Sequence, residues 1–130
     1  MYALRIAVTS IGKELGSEID QHFGRAAYFV IVDTETMNCS VFENDSADAG
    51  SGAGISSARA IAGAGVQAML TGNCGPDAER ILKAAGVRLY TGLTGTVREA
   101  VELFRKGTLK EADGSNVQAH FGAGRMRNEI

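Results

Sequence analysis

Apolar positions fall into short runs set apart by polar or glycine-rich stretches, and their period changes from run to run. Residues 4–8 read as a first strand, after which Thr9 to Lys13 open a loop that runs on to residue 27. Tyr28-Phe29-Val30-Ile31-Val32 is apolar throughout, the pattern of a strand covered on both faces and therefore interior to its sheet. A polar turn follows over 33–38, and residues 39–43 return with alternation, so the second and third strands form an antiparallel hairpin. Ile55, Ala58, Ile61 and Ala62 recur at helical spacing until Gly63 and Gly65 stop them. Residues 66–70 make a short buried strand. Pro76 opens a second helix with Asp77 and Glu79 in its first turn and Gly86 past its end. Residues 87–90 are a last strand, and Thr96-Val97-Arg98-Glu99 is a capping box ahead of Ala100, Val101 and Phe104.

The order β-β-β-α-β-α-β-α predicts an α/β fold with a five-stranded mixed sheet, spatial order 3-2-1-4-5, and three helices. In that topology the loops 9–27, 44–54, 71–76 and 91–95 gather along one edge. The N-termini of all three helices arrive there too, and free N–H groups at such ends favour an anion.

With 130 residues, 45% of them hydrophobic and one proline, the chain has the size of one ordinary domain. Residues 1–110 are expected to form it and 111–130 a flexible C-terminal tail. A net charge of -2 without a basic stripe argues against nucleic acid as a partner. No apolar run reaches the roughly 18 residues that a membrane span needs. The two cysteines, Cys39 and Cys74, form no CxxC pair, which fits a reducing, cytoplasmic setting and suggests no structural zinc site.

The loop edge collects His22, Arg25, Asn44, Asn73 and Cys74 as its distinctive chemistry, with Asp45 and Asp48 on its rim. His22 stands in Gln21-His22-Phe23-Gly24-Arg25 and is either a soft metal ligand or a neutral hydrogen-bonding residue that orders the strand entry. Cys74 lies where a helix N-terminus would lower its pKa and favour a thiolate, the alternative being an inert small residue. Cys39, on the hairpin, is expected to pack. His120 repeats the His-Phe-Gly context and is either a further ligand or a tail histidine. Gly50-x-Gly52-x-Gly54 keeps a nucleotide open as a ligand, but it lacks the lysine of a P-loop, and no hydrolase triad or paired-acid motif can be identified.

Through Ile6-Ala7-Val8, Ser17-Glu18-Ile19, His22-Phe23-Gly24-Arg25-Ala26, Glu43-Asn44, Gly52-Ala53-Gly54-Ile55, Gly75-Pro76 and Gly95-Thr96-Val97-Arg98-Glu99-Ala100, the chain resembles the dinitrogenase iron-molybdenum cofactor biosynthesis proteins. These are the NifX-like group, which includes the C-terminal region of NifB. The resemblance implies an RNase H-like fold and a non-enzymatic role in binding or carrying an iron-sulfur or molybdenum-containing sulfide cluster, or its precursor, between donor and acceptor proteins. It also implies cluster binding by His22. The radical-SAM cysteine motif of full NifB is absent from these residues. Asp45 stands where relatives often have proline and Asp77 where asparagine is common, changes expected to alter loop stiffness and capping more than ligand chemistry. The alternative is a metal-free regulatory or interaction module that binds a partner protein or nucleotide at the same edge.

Overall fold

The computed structural model describes residues 4–45 and 52–112. Strands β1 (Arg5–Ser10), β2 (Tyr28–Asp33), β3 (Cys39–Glu43), β4 (Ala68–Leu70) and β5 (Arg88–Tyr90) form one sheet in the order β3-β2-β1-β4-β5. β1 pairs antiparallel with β2, Arg5 opposite Asp33 and Ser10 opposite Tyr28, and β2 pairs antiparallel with β3. β4 and β5 run parallel to β1, joined through helices α1 (Ala53–Gly63) and α2 (Pro76–Ala84). The order expected from the hydrophobic pattern is therefore the observed one.

Strand alternation splits the core into two layers. Ala7, Phe29, Ile31, Met69 and Leu89 point to one face, where they meet Ala58 and Ile61 of α1 and Ala78 and Leu82 of α2. Ile6, Val8, Val30, Val32, Ala68, Leu70 and Tyr90 point to the other and meet Val97, Ala100 and Val101 of α3 (Val97–Arg105). The uniformly apolar β2 is explained by this: it is an interior strand with helices on both sides. Full burial of a side chain such as Phe29 or Leu82 is worth about 1.5–3 kcal/mol. The Asp77–Arg80 ion pair, with 59% and 70% of its side chains exposed, contributes no more than about 1 kcal/mol, so burial decides the fold.

β1 extends two residues beyond the apolar run because Thr9 and Ser10 are buried polar residues with partners. The Thr9 hydroxyl donates to the Asp20 carbonyl at 2.7 Å and meets the Thr71 hydroxyl at 2.9 Å; that of Ser10 donates to the Gly12 carbonyl. Residues 111 and 112, expected in the tail, stay on the body: the Ala112 amide donates to the Leu89 carbonyl at 2.8 Å, and Glu111 pairs with Arg88. Asp48, Gly50, His120 and the rest of the expected tail lie outside the described residues. Among the described residues, no helix is long and apolar enough to cross a membrane.

The capping box of α3 is formed as expected. The Thr96 hydroxyl accepts from the Glu99 amide at 3.1 Å and the Glu99 carboxylate accepts from the Thr96 amide at 2.8 Å. Thr96→Ala should lower unfolding stability by about 1 kcal/mol, read as a lower urea midpoint at unchanged slope.

Candidate functional site

Two loops meet above the β1–β4 junction, and backbone pairing joins them. His22 bridges Asn73 in parallel register; the Phe23 amide donates to the Asn73 carbonyl at 3.0 Å, and the Asn73 amide to the Gln21 carbonyl at 2.8 Å. The Gln21 side chain donates to the Leu93 carbonyl, which ties the loop after β5 to the same assembly. Asp20 closes the base of the turn: one carboxylate oxygen accepts from the His22 amide at 3.1 Å and the other from the Ala27 amide at 3.3 Å.

Within the turn each residue of His-Phe-Gly has its own physical task. Phe23 is buried, its ring 5.6 Å from that of Phe29, which in turn stacks at 5.4 Å on Phe42. That anchor leaves His22 and Arg25 on the exposed side. Gly24 lies against the start of α1, where an added Cβ would sit 2.7 Å from the Gly54 nitrogen and 2.8 Å from its Cα. Only a residue without a side chain permits so close a backbone approach.

Asn44 fastens this contact from below. Its amide donates to the Gly24 and Ala26 carbonyls at 3.1 and 2.9 Å, and its carbonyl oxygen accepts from Ser57 of α1 at 3.1 Å. Asn44 is buried, so the structure places it as the bracket between loop and helix rather than on the surface that a ligand would meet.

The loop and the two helices on its face enclose a cleft of about 170 Å³, lined by Phe23, Gly24, Gly54, Ile55, Asn73 and residues 75–78. Among the described residues, neither α1, with Gly52 at its N-cap, nor α2, with Gly75, has a side-chain cap. Their N-terminal N–H groups and partial positive charge therefore face a cleft with glycine walls. α3 corrects the expectation that all three helices offer free N–H groups: it starts on the opposite face of the sheet, and Thr96 and Glu99 close its end. A larger hollow of about 470 Å³ lies along α3, but its lining of Arg98, Glu99, Glu102, Leu103 and Lys106 mixes charges and contains no histidine or cysteine.

The paired loops bring His22 and Asn73 side by side in backbone register; of the four expected site residues Asn73 lines the cleft, His22 and Arg25 are exposed on the turn, and Cys74 is packed into the core. Cys74 departs from its expected chemistry. It is 1% exposed, its Sγ faces the Gly75 carbonyl at 3.7 Å, and burial, followed by the charge of Glu79, pushes its thiol up to about 12. Desolvation outweighs the helix N-terminus, so the resting group is a thiol and not a thiolate. Cys39 is exposed on the edge strand rather than packed. Among the described residues, no three His, Cys, Asp or Glu side chains converge to hold a metal ion. Asp20, Gln21 and Ser57 were not singled out from the pattern of residue types. Of these only Asp20 carries a local signal, an aspartate two residues before a turn amide.

A family model described as dinitrogenase iron-molybdenum cofactor matches residues 3–107. The orange protein of Desulfovibrio gigas, solved in its apo form, is 42% identical and superimposes with a TM-score of 0.85 over 88% of this chain and 98% of its own. The Thermotoga protein TM1290, described as a candidate NifB protein, is also 42% identical, with a TM-score of 0.72 over 83% of this chain and 92% of its own. MJ0580 of Methanocaldococcus jannaschii, an uncharacterized protein, is 34% identical over 98 residues, 73% of this chain and 83% of its own length.

Three outcomes follow from the geometry. At pH 8 the exposed Cys39 should react with a disulfide reagent at an ordinary rate and Cys74 at least about a hundredfold more slowly until the protein is unfolded. Because the unfolded thiol ionises near 9.0 and the folded one near 12, any stability Cys74 contributes is intact below pH 9 and is lost as the pH rises above it, which alkaline urea titrations of the native chain and Cys74→Ala would resolve. Gly24→Ala must displace the loop from α1, with an expected loss of about 1–3 kcal/mol by denaturant titration and shifted amide resonances from Phe23 to Ile55.

Proposed function

The chain belongs to the dinitrogenase iron-molybdenum cofactor family, and from that premise we propose that it is a carrier. Its cargo is an iron-sulfur or molybdenum-containing sulfide cluster, or a precursor of one, which it holds and passes to another protein. It performs no chemistry of its own on that cargo.

The observation that carries this is the cleft between the His22–Gly24 turn and the two uncapped helix ends. Metal-sulfide clusters are compact anions with soft metal edges. Helix N-termini supply N–H donors and positive potential for the sulfides, and His22 and Arg25, exposed on the turn that forms one wall, supply an imidazole for a metal and a guanidinium for the remaining charge. Asn73 shapes the wall, and Asn44 holds the turn in place through Gly24 and Ala26. Cys74 joins as a second metal ligand only when the metal displaces its proton, since the resting thiol is neutral. The relative solved in an apo form supports the same reading: it is called an orange protein, and a polypeptide without a bound chromophore does not absorb visible light.

The small volume of this cleft among the described residues supports a cluster over the alternative of a nucleotide as its occupant. Pockets for drug-sized ligands enclose roughly 300–1,000 Å³, whereas this cleft offers about 170 Å³. Gly54, the last glycine of the Gly50-x-Gly52-x-Gly54 run, is packed against Gly24 instead of cradling a phosphate.

Protein purified without oxygen and incubated with tetrathiomolybdate and ferrous iron should retain metal and sulfide in fixed stoichiometry with a visible charge-transfer band. His22→Ala and Arg25→Gln should each weaken retention by about tenfold with unchanged folding. Absence of any retained metal or sulfide in the native protein would overturn the carrier assignment in favour of a metal-free interaction module.

A further inference from the structure

Two main-chain bonds tie the turn to the loop after β4, from the Phe23 amide to the Asn73 carbonyl and from the Asn73 amide to the Gln21 carbonyl. Both belong to the neighbours of His22. The His22 amide donates elsewhere, to one oxygen of the Asp20 carboxylate at 3.1 Å, and the other oxygen accepts from the Ala27 amide at 3.3 Å, at the entry to β2. Position 20 itself is fixed without its side chain: its amide donates to the Thr9 carbonyl at 3.0 Å and its carbonyl accepts from the Thr9 hydroxyl at 2.7 Å. The tip of the turn is fixed separately, by buried Phe23 and by Asn44 on the Gly24 and Ala26 carbonyls. The two carboxylate bonds lie at the surface and add little to a fold that has these other anchors. What they do set is the peptide plane between Gln21 and His22, and with it the direction in which the imidazole leaves the backbone.

We infer that Asp20 is the positioning residue for His22: its carboxylate, shared between the His22 and Ala27 amides, holds the imidazole in place for the metal of the cargo. The inference rests on the carrier reading and adds to it the group that organises its proposed ligand. A carboxylate bonded to backbone N–H groups makes stronger bonds than a neutral acceptor, and engaging both oxygens fixes its own rotamer. An exposed histidine held this way loses less freedom when a metal binds, so part of the ordering cost is met before the cargo arrives. Asparagine keeps the shape of the side chain but offers one acceptor oxygen, and its nitrogen would then face an N–H donor. Asp20→Asn therefore breaks one of the two bonds and leaves the backbone anchors at Thr9 untouched.

A double-mutant cycle tests this. The native chain, Asp20→Asn, His22→Ala and the double variant are titrated without oxygen with tetrathiomolybdate and ferrous iron, and retained metal is measured. Asp20→Asn should weaken retention by about fivefold, and should have no further effect once His22 is alanine, because a residue that acts through another loses its effect when the other is removed. The His22 and Ala27 amide resonances should move in Asp20→Asn while those of Gly54 and Ser57 stay, which shows the tip still seated on α1. Asp20→Glu keeps the charge and displaces the acceptor by one methylene; it should weaken retention in the same way and serves for the cycle if the asparagine variant does not fold. Tighter retention in Asp20→Asn, the direction that loss of a negative charge alone would give an anion, would overturn the role of Asp20. Unchanged retention, or an equal loss with and without His22, would overturn it as well, and in each of these cases the native chain still holds its cargo and the carrier reading stands. A native chain that retains neither metal nor sulfide would overturn the carrier reading and the role of Asp20 together.

Discussion

A contact between two glycines organises the loop edge of this protein. Gly24, at the tip of the turn that follows β1, rests on Gly54 in the first turn of α1 so closely that neither backbone could move in further. Two other interactions exist to keep it there. Phe23 plugs the turn into the aromatic row with Phe29 and Phe42, and Asn44 with Ser57 ties the turn's carbonyls to the helix. One buried ring gives burial energy, and one buried amide with its donors and acceptor engaged gives register. The exposed residues of the motif, His22 and Arg25, are then displayed from a fixed base.

The sheet makes this arrangement useful. β1 lies between an antiparallel neighbour and a parallel one, so the loops leaving β1 and β4 come off side by side and pair through His22 and Asn73. Open α/β sheets commonly bind ligands in such a place, beyond the carboxyl ends of their strands. The two crossover helices that begin near this junction lack side-chain caps, while α3 on the far face carries a full capping box. Among the described residues, side-chain caps are missing from the helix starts on one face of the sheet and present on the other, which gives the edge a direction: an anion held by helix N–H groups is expected beside α1 and α2 rather than beside α3.

Much of this was legible in the residues. The apolar run of β2, the helical spacing over Ile55 to Ala62 and the Thr96–Glu99 capping box report directly on local geometry, and the chain order of elements restricts the sheet to few topologies. Loop pairing was harder to see. That Asp20 brackets the turn, that Asn44 faces inward and that Gly24 meets Gly54 depend on contacts between segments far apart in sequence, for which residue type is a weak guide. Cys74 shows the same limit in energetic form: its position before a helix suggested a thiolate, but burial, which only the folded chain reveals, outweighs the helix end and keeps the proton on sulfur. Asp77 looked like a helix-capping substitution and turned out to line the cleft.

Amide resonances of the full chain, followed by NMR as a reconstituted molybdenum-iron-sulfide cargo is added without oxygen, would locate the bound cargo independently of any mutation. The account predicts that perturbations cluster at residues 22–25, 54–55 and 73–78, with β3 and the outer face of α3 unchanged. Perturbations centred instead on the hollow beside Arg98, Glu102 and Leu103 would contradict it, because the cargo would then sit across the sheet from the helix ends and the histidine that are held to receive it.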